Sequence, residues 1–94
     1  MPRHLIEKIR DAIRNGDYDM TIHAFEEMAE DKLRIINVES AVLNGKIITI
    51  QKDDPRGTKY VIEGNSGSKP TPIGVVGRFK ETGVFLIITV YEIK

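Results

Sequence analysis

Four runs rich in β-branched residues decide the fold of the C-terminal half: residues 46–52 (KIITIQK), 58–63 (TKYVIE), 73–80 (IGVVGRFK) and 84–92 (VFLIITVYE). Such residues favour the pleated, half-buried surface of a sheet. Turn-forming residues separate the first pair of runs (DDPRG) and the last pair (ETG), so hairpins are predicted there. The run 84–92 is apolar on both faces, which predicts an interior strand. Gly, Pro, Asn and Ser predict a flexible loop between the two hairpins, over residues 64–72.

The N-terminal half has helical periodicity instead. Apolar residues recur three and four apart, which predicts an amphipathic first helix that ends at Asn15 and Gly16. Thr21 is the predicted N-cap of a second helix, and Asn37 that of a short third helix over residues 38–43. The apolar stripe predicted for the second helix consists of Ile22, Phe25, Met28 and Ala29.

A sheet with one apolar face needs a cover, and the amphipathic helices supply it. The predicted fold class is α+β, with two or three N-terminal helices packed on a four-stranded, mainly antiparallel sheet. We expect a single domain over residues 1–94, with a helical half at 1–44 and a sheet half at 45–94. The residues expected to share its core are Phe25, Met28, Ile50, Val75, Leu86 and Ile88.

Composition excludes several classes of function. The chain has no cysteine, which rules out disulfides, zinc ribbons and thiol catalysis. No apolar run approaches the roughly 20 residues that cross a bilayer, and the first residues lack the apolar core of a signal peptide. We therefore expect a cytoplasmic protein without a membrane partner.

The net charge is zero but unevenly distributed. Residues 1–44 carry six Lys/Arg and nine Asp/Glu, whereas residues 45–94 carry eight Lys/Arg and five Asp/Glu. A basic sheet half is suited to phosphates or to an acidic partner. Chance asymmetry on a solvated surface explains the same distribution equally well.

The sheet half holds residue types suited to RNA chemistry. Lys52, Arg56 and Lys59 flank the first hairpin, Arg78 interrupts an apolar run, and Tyr91 lies near the end of the last run. Arginine binds phosphate bidentately, and tyrosine stacks on a base or moves a proton. The competing interpretation is that Lys52 and Lys59 are solvated edge residues and that Tyr91 packs. An ordinary outward-facing position explains Arg78 equally well.

One further candidate lies in the helical half. His23 is three and four residues from Glu26 and Glu27, a spacing that brings the groups onto one helix face. Two ligands do not make a metal site, so we expect no metal and no cofactor. A histidine near the start of a helix, satisfied by a carboxylate or by a backbone group, is the favoured interpretation.

Strand register decides whether Arg78 and Tyr91 meet. With a two-residue turn at Thr82 and Gly83, Arg78 faces Ile87 and shares a face with Tyr91. With a three-residue turn and a bulge at Gly83, Arg78 faces Leu86, and Tyr91 is predicted to lie on the opposite face.

Four segments together resemble the domain-of-unknown-function family 4258: residues 21–28 (TIHAFEEM), 35–45, 74–78 (GVVGR) and 88–92 (ITVYE). That family is similar to distant members of the RelE/ParE/BrnT-like toxin superfamily. The resemblance implies a RelE-like fold of two N-terminal helices on an antiparallel sheet. It also implies ribonuclease activity on messenger RNA, commonly on the ribosome.

The resemblance assigns roles to particular residues. Arg56 and Lys59 correspond to the cations of the second hairpin strand, Arg78 to the arginine of the third strand, and Tyr91 to the tyrosine of the last. The implied partners are RNA or the ribosome and an antitoxin encoded nearby, and a homo-oligomer stays open. Active toxins of this fold are strongly basic, whereas this chain is neutral.

Two hypotheses follow. The first is a toxin-like, metal-independent endoribonuclease in which Arg78 and Arg56 hold phosphate and Lys59 assists. In it, Tyr91 or His23 carries protons or stacks on a base. The second is a non-catalytic protein-binding or regulatory module of the same fold, whose sheet edge pairs with a partner chain.

Overall fold

The computed structural model describes residues 3–67 and 71–93. Three helices and five strands lie in these ranges, in the order α1 Arg3–Arg14, β1 Tyr18–Met20, α2 Ile22–Glu30, α3 Ile35–Asn44, β2 Lys46–Gln51, β3 Lys59–Asn65, β4 Pro72–Phe79 and β5 Phe85–Glu92. Part of the predicted loop 64–72, residues 68–70, lies outside the described ranges. The longest helix described is α1 with 12 residues, and none is long and apolar enough to cross a membrane.

The strands form one mixed sheet in the order β1-β5-β4-β3-β2. The four predicted strands are present and pair antiparallel, and β5 is interior as predicted. The prediction of a four-stranded sheet is nevertheless wrong, because β1 adds a fifth strand parallel to β5. A three-residue strand is too short to show alternation, and its partner lies at the far end of the sequence. The helical half therefore also contributes to the sheet.

The helices cover one face of the sheet and bury a single core. Residues with no exposed surface come from every layer, including Ile9 of α1, Val42 of α3, Ile62 of β3 and Phe85 of β5. Met28 and Val75 are buried as predicted. The other residues expected in the core are at least partly exposed: Phe25, Ile50, Leu86 and Ile88.

Helix α2 begins as predicted but is rotated about its axis. Thr21 caps it, since its hydroxyl accepts from the Ala24 amide at 3.1 Å. The buried residues are Ala24 and Met28, whereas Ile22 is 79% and Phe25 50% exposed. The predicted stripe is right at Met28 but wrong at Ile22, Phe25 and Ala29, which are exposed. The small Ala24 allows the helix to lie close to the sheet.

Helix α3 begins at Ile35, earlier than predicted, with Arg34 as its N-cap. Asn37 lies inside the first turn, where its side-chain oxygen accepts from the Arg34 amide at 2.8 Å. The helix ends at Asn44 and Gly45 as predicted, although Gly45 is not left-handed. A Cβ at Gly45 would overlap backbone oxygens of α3 and β3. Glycine is needed there for close approach rather than for a turn.

Candidate nucleic-acid interface

The second face of the sheet has no helical cover in the ranges described, and we call it the open face. Strand register assigns its side chains, because cross-strand partners project to the same side. They are Lys46, Thr49 and Gln51 of β2, Lys59, Val61, Glu63 and Asn65 of β3, Pro72, Gly74, Val76 and Arg78 of β4, and Leu86, Thr89 and Tyr91 of β5.

Arg78 and Tyr91 both lie on the open face, because β5 has a bulge that neither sequence alternative contained. The last turn has three residues with Gly83 at φ 91°, and Arg78 pairs with Leu86. That register was predicted to send Tyr91 to the opposite face, and this prediction is wrong. Strand β5 has a bulge at Ile88, which restores the phase so that Tyr91 pairs with Gly74.

The bulge is bonded to the start of α2. The Thr21 hydroxyl donates to the Ile88 carbonyl at 3.1 Å, and the Thr21 amide donates to the Ile87 carbonyl at 3.0 Å. Further along β5, the Glu27 carboxylate accepts from the Val90 amide at 3.0 Å. Thr21 and α2 therefore provide hydrogen-bond partners for the backbone groups of β5 that lie beyond the end of β1. Thr21 was predicted only as a cap, and nothing local in the sequence signals its second contact.

Three of the five predicted site residues gather at one end of the open face around Asp54. Lys59 Nζ lies 3.4 Å and Arg56 Nε 3.5 Å from the Asp54 carboxylate. Arg78 Nη1 donates to the Arg56 carbonyl at 3.4 Å. Lys59 and Arg78 flank the paired residues Tyr60 and Gly77, so they are neighbours on adjacent strands. We call Arg56, Lys59 and Arg78 the cation cluster.

Asp54 organises this cluster. Its carboxylate accepts from the Arg56 amide at 2.8 Å, which closes the turn. That hydrogen bond, with Lys59 and Arg56 nearby, holds the pKa of Asp54 below its usual range. The carboxylate therefore stays ionised and offsets one of three positive charges. A depression of about 500 Å³ adjoins it, lined by Gln51, Asp53, Asp54, Pro55, Arg56 and Lys59. Asp54 is the residue of this site that sequence reasoning missed.

Tyr91 lies on the same face but away from the cluster. Its ring lies over Gly74, where a Cβ would overlap the ring. Burial and the Glu63 carboxylate raise the pKa of Tyr91, so its hydroxyl stays protonated. Arg78 lies four residue steps along β4 from Gly74, a distance of about 13 Å at roughly 3.3 Å per step. Tyr91 is therefore too far from the cluster to transfer a proton directly to a group bound there.

The structure separates His23 from the other predicted site residues. Its Nε2 lies 3.4 Å from Glu27 Oε1, the oxygen that also accepts from Val90. The side chain is 65% exposed on α2, next to the Glu27 carboxylate that contacts β5 beyond the end of β1. This position beside a carboxylate is the arrangement that the favoured interpretation describes. Among the residues described, no three His, Cys, Asp or Glu side chains come together as metal ligands do.

A family model described as domain of unknown function (DUF4258) matches residues 20–92. The matched range includes Thr21, the cation cluster and Tyr91. Comparison with curated proteins and with solved structures found no match.

Proposed function

This chain belongs to the DUF4258 family, and we propose that it is a toxin-like module that acts on RNA through the open face. One observation carries the proposal: the cation cluster and Tyr91 lie on the same uncovered face of the sheet. Single-stranded RNA is bound by such surfaces through phosphate contacts to cations and base stacking on aromatic rings.

The charges at the cluster support phosphate binding. Arg56 is 75% exposed, so its guanidinium is accessible despite the Asp54 contact. The Arg78 guanidinium carries five donors in a planar fork, and only one is used on the Arg56 carbonyl. A backbone carbonyl does not neutralise a cation, and Arg78 therefore retains its charge for a phosphate. When phosphate is bound at this end of the face, Tyr91, about 13 Å away along β4, is available to a base further along the same RNA strand.

Binding has more support than cleavage. In metal-independent cleavage a ribose 2′-hydroxyl attacks phosphorus, the 5′-oxygen leaves, and cations stabilise the charge that develops. The cation cluster suits that last task. Its nearest carboxylate, Asp54, is a poor proton acceptor because its pKa is lowered. We therefore propose RNA binding first. Endonuclease activity is a second, more specific proposal, which the cleavage assay below tests.

The alternative of strand addition at the sheet edge receives less support. Strand β2 is an edge strand, but it has a bulge between Ile47 and Thr49 and begins with the exposed Lys46. Bulges and edge lysines are devices that block pairing with a foreign strand.

The test is binding of a fluorescent single-stranded RNA, followed by anisotropy at several salt concentrations. Arg78→Ala should weaken binding about tenfold, and each lost phosphate contact should lower the salt slope by about 0.7. Arg78→Lys should restore part of the affinity, because an ammonium lacks the bidentate fork. The matched control is Arg14→Ala on α1, an exposed arginine paired with Glu7 and Asp11 on the covered side. Equal losses in Arg14→Ala and Arg78→Ala would show that the open face is not the binding surface.

Cleavage is followed on the same RNA in gels. Any cleavage by the purified protein should survive excess EDTA and be reduced in Arg78→Ala. Loss in EDTA with recovery on adding a divalent ion would refute a metal-independent reaction. Expression in a bacterial host should arrest growth, and Arg78→Ala should relieve the arrest without lowering Tm. A lower Tm with undiminished arrest per folded molecule would make Arg78 a structural residue instead.

A further inference from the structure

The outer surface of α2 and α3 is unusually apolar. Its large hydrophobic side chains are Ile22, Phe25, Ile35, Ile36 and Leu43, between 37% and 79% exposed. We call these five residues the helical surface. Large exposed apolar side chains grouped on a small protein mark interaction sites more often than isolated ones do.

The same part of the chain is strongly acidic. Residues 15–44 carry seven Asp/Glu and only two Lys/Arg. The two basic residues, Lys32 and Arg34, lie in the turn between α2 and α3. The exposed Glu26 and Glu30 are on α2 beside the apolar side chains. An apolar surface edged by carboxylates favours a ligand that is itself apolar and basic.

Two depressions meet at Glu39 on α3. One, of about 410 Å³, is lined by Gly16, Tyr18, Asp19, Met20, Phe25, Ile35 and Glu39. The other, of about 460 Å³, is lined by Ile36, Glu39, Ser40, Leu43 and Asn44. Glu39 Oε2 accepts from the Tyr18 hydroxyl at 2.6 Å, which fixes the carboxylate between the depressions. This places an oriented negative charge between two sites that accept side chains.

We propose that the helical surface binds a basic amphipathic helix from another protein. An apolar side chain of that helix enters the Ile36–Leu43 depression, and an arginine or lysine one turn away reaches Glu39 and the Phe25–Ile35 depression. Residues one turn apart on a helix project to the same side, so a single helix satisfies both depressions.

A second copy of the chain fits less well. Two copies related by a twofold axis would place the same acidic surfaces against each other. A contact between the helical surface of one copy and the basic open face of another is heterologous and grows into chains unless its rotation closes a ring. A basic helix from another protein avoids both the repulsion between acidic surfaces and the growth into chains. The proposal does not rest on RNA binding, because none of the five residues of the helical surface lies on the open face.

The experiment is selection from a displayed library of 18-residue peptides against the folded chain. Each peptide has a fixed leucine stripe, with Lys, Arg, Gln or Glu allowed at the flanking positions. We expect enrichment of Lys and Arg over Glu, followed by binding of selected peptides in titration. Ile36→Ser and Glu39→Gln should each weaken binding about tenfold. The matched control is Ile48→Ser, since Ile48 is also a large exposed hydrophobic residue but lies on the β2 edge.

Three results would overturn the proposal. One is selection without charge preference or with preference for Glu. Another is equal weakening by Ile36→Ser and Ile48→Ser, which indicates nonspecific adhesion. The third is concentration-dependent dimerisation, measured by sedimentation and abolished by Ile36→Ser, which assigns the surface to a second copy. Because Ile36 and Glu39 are at least partly exposed, these variants should keep the wild-type Tm.

Discussion

The two faces of the sheet are built from the same strands but carry different side chains, buried and apolar on one face and partly exposed on the other. On the covered face, β4 and β5 place Val75, Phe85 and Ile87, none of which has exposed surface. On the open face they place Arg78 and Tyr91, both partly exposed. Alternation along a strand thus assigns stability to one face and leaves the other free to vary. The difference teaches that the open face can be altered for function at small cost to the fold.

The sharpest test compares neighbours on β5 that point to opposite faces. Phe85→Ala should destabilise by about 3–5 kcal/mol, because the ring is fully buried in the core. Leu86→Ala should cost about 1 kcal/mol or less, because Leu86 lies on the open face. Both are measured by urea denaturation. Equal losses would mean that the open face is covered in solution.

A second test uses two glycines of β4. A Cβ at Gly77 would lie 2.6 Å from the Phe85 ring and 2.8 Å from the Leu86 carbonyl oxygen, inside the core. Gly77→Ala should therefore cost about 2–3 kcal/mol. A Cβ at Gly74 meets the Tyr91 ring, which can swing into solvent, and Gly74→Ala should cost about 1 kcal/mol. Adding Tyr91→Ala should remove that smaller penalty. A persisting penalty would show that the backbone, not the ring, is the obstacle.

A third test concerns the bulge at Ile88, which sets the face to which the later residues of β5 project. Thr21→Val keeps the shape of the side chain but removes the α2 cap and the bond to Ile88. It should cost about 1–2 kcal/mol, and amide exchange at Val90 should accelerate. Thr49→Val, an exposed threonine on the open face, is the control and should change stability by less than about 0.5 kcal/mol. Unchanged exchange at Val90 would show that the bulge persists without Thr21.

The smallest expected effect is a pH dependence at the open face. The folded-state pKa of Asp54 is below the value in the unfolded chain, so its contribution to stability is present above the usual carboxyl range. That contribution disappears as the pH falls through the lowered pKa. Tm measured against pH should show a shallower acidic decline in Asp54→Asn than in the wild type. Identical profiles would mean that the pKa of Asp54 is not lowered by folding.

The main elements were predictable because their signals are local. Periodicity and turn residues predicted α1, α2 and the four antiparallel strands, and the cap at Thr21 was identified from its residue type. Strand β1 was missed because three residues show no periodicity. The stripe of α2 was misplaced because Phe25 and Ile22 are larger than Ala24, and size was taken for burial.

The candidate site was predictable as a set of residue types but not as an arrangement. Arg56, Lys59 and Arg78 were chosen for their charge, and the structure gathers them. Asp54, which holds two of them, was not chosen. The face of Tyr91 depended on the bulge at Ile88, and a bulge fixed by contacts with α2 leaves no local signal in β5. His23 was included as a possible proton carrier, and the structure places it beside Glu27, away from the cation cluster.

The pairing of β1 with β5 also governs how the chain assembles. Tyr18 and Phe85 are neighbours in the sheet although most of the sequence lies between them. Contacts so distant along the chain slow folding, because a long loop must close before they form. During synthesis, β1 and α2 emerge long before β5, the strand they pack against. Until then the apolar side chains of α1 and α2 remain exposed to other nascent chains and to chaperones.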